Sequence, residues 1–378
     1  MVLGQNKPYL FSYQIDSLLS VDSTNYKFQT ASWNFSFIGD YKKSLEVKDL
    51  QFPNAKPSTP TQEQIEYFKK FKAIDARKAI LEEAKKTQIL IINEAHHVGL
   101  HRVYLASLLE DLHKIGYTYI GLEALSYEDT LLNQRKYPVL KSGFYTKEPC
   151  FGNLIREGIE LGYTIFPYEQ VYSDSIQKNF GREKAEAVNV KKILDQNPKA
   201  KLILYCGYDH VAEDTLKNFM GLPMAGQLKK LTGINPFTID QTALTEYKIV
   251  GSRYRQLMNE KKDVLFVDSN STYFNKASFP KAIDCNVYHP SSECINGRPT
   301  WLRRKNTKFI MLQEKVTIAY PYLIKIYLAT DDIAIAVPID IIELKSPNEK
   351  VASLILKHKK QIAIAENNKG EQQIIKLN

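Results

Sequence analysis

The stretch Gln88-Ile-Leu-Ile-Ile-Asn-Glu94-Ala-His96-His97-Val-Gly-Leu-His101-Arg102 joins a short apolar run to a helical pattern. Residues 88–92 have the β-branched composition of a strand buried on both faces of a parallel sheet. After them, leucines and aromatic residues recur at helical spacing until Gly116. Glu94, His96 and His97 are therefore predicted to lie in a strand-to-helix turn, where open α/β sheets bind their ligands.

The same pattern recurs at three later apolar runs. Residues 117–122, 163–168 and 201–206 precede, in turn, Glu123, Glu169 and the segment Gly207-Tyr208-Asp209-His210. Helical patterns alternate with these runs, as they do in parallel βαβ units with right-handed crossovers. The sequence therefore predicts an α/β fold whose parallel βαβ core carries helices on both faces. Carboxylates and imidazoles that converge at strand ends are typical of acid/base chemistry or metal binding.

The regions that flank this core have a different texture. Residues 1–60 are predicted to form an N-terminal helical segment and linker, in which two antiparallel helices fit the pattern, and residues 61–245 the α/β domain of catalytic type. Residues 246–378 contain short β-type runs separated by Asn, Gly, Pro and Asp, which predicts a small β-rich C-terminal domain. The long connection 125–150 is either a lid that contacts substrate through Tyr137, Tyr145 and Glu148 or a surface excursion.

Two short motifs resemble those of a known superfamily. Asn93-Glu94-Ala95-His96 resembles the Gly-Glu-x-His motif of the erythromycin esterase-like, ChaN-like and TraB-like superfamily, and the segment 207–210 resembles its second motif, Gly-x-x-His. The resemblance covers residues 88–241, and the family's first glycine is Asn93 here. It also includes, in the expected order, Arg102, Glu123, Arg156, Glu169 and the segment from Arg182 to Asn189. The resemblance implies a hydrolase of the esterase type or, as in ChaN-like proteins, a haem- or metal-binding protein without turnover.

The residue types suggest roles for these side chains. Glu94 and His96, helped by His210, are predicted to deprotonate a water that attacks an ester or similar acyl centre. The remaining catalytic candidates are Glu123 and Arg156, and the candidates for substrate binding are His97, Arg102, Glu169, Arg182 and Tyr208. Arg156 or Arg182 would stabilise the developing charge. No serine lies in a Gly-x-Ser-x-Gly elbow, which disfavours covalent catalysis.

Three alternatives remain open at this stage. Glu94, His96 and His210 are also candidate ligands of a divalent metal that would activate the water. Tyr208 is a candidate axial ligand of a bound haem, because the tyrosine oxygen is one of the known types. In a third hypothesis the crevice is inactive and the chain is an interaction protein.

Composition and charge limit the other classes of function. The formal net charge is +9, but the lysines are scattered and no nucleic-acid-binding motif accompanies them, so a small-molecule substrate or ligand is predicted rather than nucleic acid. No window reaches the ~18 apolar residues of a membrane span, and no signal sequence is seen. These features predict a cytoplasmic protein, or a periplasmic one if the chain is a processed form. The four cysteines show no CxxC spacing; Cys285 and Cys294 form one disulfide or remain free thiols.

Overall fold

The computed structural model describes residues 8–52, 54, 56, 59–171, 181–216, 221–249, 251–275 and 282–377. Within these ranges the helices α1 to α10 are Ser12–Val21, Lys27–Phe37, Tyr41–Leu50, Gln62–Phe68, Ala76–Ala84, Gly99–Lys114, Leu132–Arg135, Pro149–Glu160, Arg182–Gln196 and Met224–Thr232. The strands β1 to β16 are Lys72–Asp75, Ile89–Glu94, Tyr117–Leu122, Thr164–Pro167, Lys201–Gly207, Phe237–Asp240, Val264–Val267, Cys285–Asn286, Cys294–Ile295, Arg298–Pro299, Thr307–Ile310, Tyr322–Leu328, Asp340–Leu344, Ser353–Leu356, Gln361–Asn367 and Gln372–Leu377.

Six parallel strands form the central sheet, in the order β4-β3-β5-β2-β6-β8. The register of β2 and β5 places Asn93 opposite Cys206 and Glu94 opposite Gly207. The two motifs recognised in the sequence therefore meet at one edge of the sheet, where parallel strands present their carboxyl ends. Glu123 follows β3, which is the other neighbour of β5, and so reaches the same edge.

Helices cover both faces of this sheet, as the sequence predicts. Apolar side chains of α5, α6 and α8 pack on one face with those of β2 and β3. On the other face, α9 and α10 pack against β5 through Ala187, Val190, Met224 and Leu228. Because both faces are covered, β2 is buried at all six positions, which explains its continuous apolar composition.

The N-terminal segment contains three helices where two were predicted. A break at residues 22–26 separates α1 from α2, and Asp40 begins α3 by accepting a hydrogen bond from the backbone N–H of Lys43. The core of α1 to α3 includes Leu323 and Ile341 from β12 and β13. The N-terminal helices are therefore joined to the C-terminal region by a shared apolar cluster.

The C-terminal region is rich in antiparallel strands. Four of them form a sheet in the order β13-β12-β15-β16, and β11 pairs with β14. The short strand β8 joins the parallel sheet although it lies beyond residue 245, and β7 pairs with β1 in a separate antiparallel pair. All four cysteines are free thiols. None of the helices in the described ranges is long and apolar enough to cross a membrane.

Candidate active site

Glu94, the last residue of β2, is held as an anion by a buried arginine. Arg102, in the first turn of α6, donates from Nε to Glu94 Oε2 (2.6 Å) and from Nη2 to Glu94 Oε1 (2.8 Å). Its Nη1 donates to Glu148 Oε2 at 2.9 Å, and all three side chains are buried. Burial opposes the ionisation of Glu94, but the guanidinium outweighs it and holds the pKa of this carboxyl well below its ordinary value. Glu94 is therefore a fixed negative charge at neutral pH.

His96 carries its imidazole directly over this carboxylate. Its Nδ1 lies 2.9 Å from Glu94 Oε1, and its side chain is 12% exposed. Since an ionised carboxylate can only accept, Nδ1 carries a proton, and in the neutral ring the lone pair is on Nε2. No hydrogen bond within the described ranges engages Nε2. In the neutral ring Nε2 is therefore the nitrogen that can take a proton.

Three neighbours fix the plane of the His96 ring. Tyr145 stacks on it with a centroid distance of 4.0 Å and an angle of 10°, and Tyr208 meets it edge-on at 5.5 Å. On the side of β5 the ring rests on Gly207, where an added Cβ would lie 2.5 Å from His96 Cε1 and Nε2. Only glycine leaves room for the imidazole at this position.

Glu94 and His96 form one half of the crevice at the carboxyl ends of the central strands. The second half is built around Arg182, the first residue of α9. Its Nη2 donates to Glu123 Oε1 and, at 2.7 Å, to Glu169 Oε2, and its Nη1 lies 3.1 Å from His210 Nε2. Glu123 also accepts the backbone N–H of Gly207 at 2.5 Å. One guanidinium thus gathers the side chains that follow β3, β4 and β5.

His210 also contacts the first turn of α9. Its Nδ1 lies 2.7 Å from Glu183 Oε2 and 4.0 Å from Glu186 Oε2. Burial lowers the pKa of His210, but the hydrogen bond to Glu183 and the charge of Glu123 raise it above the ordinary value. Glu186 is wholly buried, and burial together with Glu123 raises the pKa of its carboxyl to about 11. This part of the crevice is rich in carboxylates.

Asn93, which precedes Glu94 in β2, links its own strand to the ends of β5 and β6. Its Nδ2 donates to the carbonyl of Tyr208 and to Asp240 Oδ1, both at 2.8 Å, and its Oδ1 accepts from the backbone N–H of Gln241 at 2.7 Å. Tyr208 has a φ of +37°, a conformation that is strained for a residue with a Cβ. The amide of Asn93 helps to hold the backbone in that conformation.

Three predicted site residues have other surroundings. Arg156 donates to Asp331 Oδ2 at 2.9 Å and to the carbonyl of Val337 at 2.7 Å, so it ties α8 to the C-terminal region and does not clamp the crevice. His97 lies 3.0 Å from the Tyr247 hydroxyl and lines a separate cavity of about 290 Å³. Arg102 is wholly buried between two carboxylates, so it orients Glu94 and is not exposed to substrate.

The structure adds three residues to the crevice that the sequence analysis had not assigned to the site. Glu148, one of the candidates for substrate contact in the connection 125–150, is buried, pairs with Arg102 and caps α8 by accepting from the backbone N–H groups of Cys150 and Phe151. Tyr145 of the same connection does reach the crevice, over His96. Glu186 was missed, although its position one helical turn after Glu183 at the start of α9 was a usable signal.

Groups that could hold a metal are arranged differently from the prediction. Within the part of the chain that the structure describes, two groups of three have ligand atoms within 4.8 Å of one another: Glu183, Glu186 and His210, and Glu123, Glu169 and Glu186. The predicted set Glu94, His96 and His210 is not one of them, and both oxygens of Glu94 accept hydrogen bonds from Arg102.

Tyr208, the candidate haem ligand, is partly buried and meets the ring of His96 edge-on. Burial and the nearby charge of Glu94 raise the pKa of its phenol above the ordinary value. A tyrosine binds haem iron as the phenolate, and this environment disfavours that form.

Comparison with known proteins gives no family for the chain. No family model and no curated protein matches it. Among solved structures it is similar to the type III effector HopBA1, with 12% identity and a TM-score of 0.33 over 46% of this chain and 88% of that one. It is also similar to a structure described as bacterial protein toxins, with 15% identity and a TM-score of 0.32 over 60% of this chain and 48% of that one. A third similar structure is RRSP, a MARTX toxin effector domain from Vibrio vulnificus CMCP6, with 15% identity and a TM-score of 0.28 over 72% of this chain and 47% of that one. The chain spans about half the length of the latter two.

Proposed function

We propose that the chain is a hydrolase in which His96 takes a proton from a water molecule as that water attacks an ester or a related acyl carbon. The observation that carries this proposal is the 2.9 Å contact between His96 Nδ1 and Glu94, which leaves Nε2 as the basic nitrogen of the neutral ring. A carboxylate that orients a histidine in this way fixes its tautomer and stabilises the imidazolium that forms. Positioned proton transfer of this kind contributes about 10²–10⁴ in rate.

The surroundings of the pair support the same chemistry. The charge of Glu94 does not depend on the reaction, because Arg102, which also pairs with Glu148, stabilises it inside the protein. Arg182 lies among Glu123, Glu169 and His210, and its side chain is 37% exposed. It would stabilise the oxyanion of the tetrahedral intermediate. Glu123 keeps Arg182 in place from the end of β3.

The resemblance of the two motifs to the erythromycin esterase-like group supports an ester as the substrate class. Glu94, His96 and His210 occupy the motif positions, while Asn93 departs from the family pattern. In this chain the departure adds cross-links to Tyr208 and Asp240 without displacing Glu94. The choice of an acyl ester remains part of the proposal.

Hydrolysis of a panel of p-nitrophenyl esters of increasing acyl length tests the proposal. Wild-type protein should hydrolyse at least one ester, and His96→Ala should lower kcat/KM by about 10²–10⁴. Glu94→Gln should lower it as well, because an amide can bond Nδ1 but cannot stabilise the imidazolium. The matched controls are His358→Asn and Glu128→Gln, both at exposed positions, which should leave the rate unchanged. Equal rates in wild type and His96→Ala would refute the assignment.

A further inference from the structure

We infer that Glu183, Glu186 and His210 form a binding site for one divalent transition-metal ion, with zinc as the best match. An imidazole with two carboxylates is a donor set that zinc accepts, with one position left for water. Tetrahedral zinc with ligands at about 2.1 Å separates its ligand atoms by about 3.4 Å. The observed separations of 2.7 Å and 4.0 Å from His210 Nδ1 to the two glutamates bracket that value.

The burial of Glu186 without a hydrogen-bond partner among the described residues is the observation that points to a bound cation. Its side chain is completely buried, yet neither carboxylate oxygen accepts a hydrogen bond from the described residues. Its one close ionic contact is from Arg182 Nε to Oε1 at 2.9 Å, which leaves Oε2 on the side of His210. A buried carboxylate oxygen without a partner is costly, and a bound cation at this place would satisfy it.

The balance of charge favours the same position. Arg182 contacts four groups of the crevice, and its Nη2 lies between Glu123 and Glu169. A cation bound to that pair would have to displace the guanidinium. Glu183 and Glu186 lie beyond it, and within the described ranges no lysine or second arginine forms an ion pair with either of them. A divalent ion between Glu183 and Glu186 would leave the contacts of the guanidinium with Glu123 and Glu169 in place.

The local structure positions the two glutamates for a shared ligand. They are three residues apart near the start of α9, so their side chains leave the same face of the helix. The backbone N–H of Met224, at the start of α10, donates to Glu183 Oε2 at 2.8 Å and orients that carboxylate. Partners of this kind around metal ligands fix the geometry of the site.

The inference does not rest on the proposed hydrolysis. The ion would bind Nδ1 of His210 in place of the proton that this nitrogen donates to Glu183, and the proton of the neutral ring would then lie on Nε2, which is 3.7 Å from Glu123 Oε1. It would join α9, the end of β5 and, through Glu183, the start of α10. Binding can therefore be measured without any substrate.

Titration calorimetry of the chelator-treated protein with zinc chloride at pH 7 tests the inference. Wild type should bind about one equivalent, and Glu183→Gln and Glu186→Gln should each weaken binding by at least about ten-fold, the smallest cost expected for a disturbed metal site. Glu128→Gln, an exposed carboxylate, should bind as wild type does. Circular dichroism checks the fold of each variant, and Glu183→Gln alone decides if Glu186→Gln does not fold.

Two outcomes would overturn the inference: no binding to wild type, or binding of equal strength in wild type and Glu183→Gln. Glu94→Gln separates this inference from the proposed function. It should retain zinc binding while it loses hydrolysis, because Glu94 bonds Arg102 and His96 and not His210. Zinc binding without any hydrolysis would refute only the hydrolase, and hydrolysis without zinc binding only the metal site.

Discussion

Replacement of Gly207 by alanine tests whether the position of the His96 ring sets the rate. The backbone of Gly207 has φ −84° and ψ 145°, which any residue adopts, so the substitution strains no dihedral angle. The added Cβ would lie 2.5 Å from His96 Cε1 and Nε2, whereas ordinary contact begins at 3.4 Å. The ring must therefore move by the difference, 3.4 − 2.5 = 0.9 Å, and no charge in the crevice changes.

This movement has a predictable effect on catalysis. Tyr145 stacks on the ring at 4.0 Å and restricts its shift, so part of the displacement should appear as a longer contact with Glu94. A misplacement of about 1 Å costs about 10²-fold in rate, and an extra methyl in a packed site about 1–3 kcal/mol of stability. Steady-state hydrolysis of the best p-nitrophenyl ester should show the loss in kcat, and urea unfolding should show the cost in stability.

Gly158→Ala is the matched control for this variant. It adds the same methyl group within α8, where the nearest neighbours of the new Cβ would be the Cδ1 atoms of Ile120, Ile165 and Leu109, at 3.1, 3.2 and 3.8 Å. These side-chain ends can move by a few tenths of an ångström, so kcat should stay at the wild-type value. A folded Gly207→Ala protein with wild-type kcat would show that the orientation of His96 does not limit the reaction.

Two further predictions concern residues outside the crevice. Burial lowers the pKa of His97 to about 3, whereas its ordinary pKa is about 6.5. Between these two pH values the unfolded chain binds a proton that the folded protein does not. This residue should therefore reduce the free energy of unfolding by about 1.4 kcal/mol for each pH unit as the pH falls from about 6.5 towards 3. Urea titrations at pH 7, 6 and 5 should give a shallower dependence for His97→Gln, and an unchanged slope would exclude His97 as the cause. Arg156→Met leaves the buried Asp331 without its cation, so it should cost about 3–5 kcal/mol in urea unfolding while kcat of the folded protein is unchanged. A lower kcat at unchanged stability would instead support the catalytic role predicted from the sequence.

The central sheet and the meeting of the two motifs could be predicted because they depend on patterns within short stretches. Apolar runs followed by helical spacing determine parallel strands, and the carboxyl ends of such strands share one edge of the sheet. Glu94, Glu123 and His210 therefore had to come within reach of one another. The register adds that Glu94 lies directly opposite Gly207.

The direction of individual side chains could not be predicted in the same way. Arg156 was expected at the crevice because α8 leads into β4, but its partner Asp331 lies 175 residues later in the chain. His97 follows His96 directly, yet it faces Tyr247 on the other side of the turn. Such contacts depend on which distant segment packs against each face, and spacing within one segment carries no information about that.

The aromatic contacts of the N-terminal helices bear on how this protein could change over evolution. Trp33 of α2 packs edge-on against Tyr145, and the hydroxyl of Tyr41 in α3 donates to Glu148. Both contacts lie outside the parallel sheet, and both support groups that touch His96 or Arg102. Substitutions in the first fifty residues can therefore reshape the covering of the crevice while every acid and base stays in place. Under selection for a new substrate, we expect substitutions in this N-terminal segment, which is distant in sequence from Glu94 and His96.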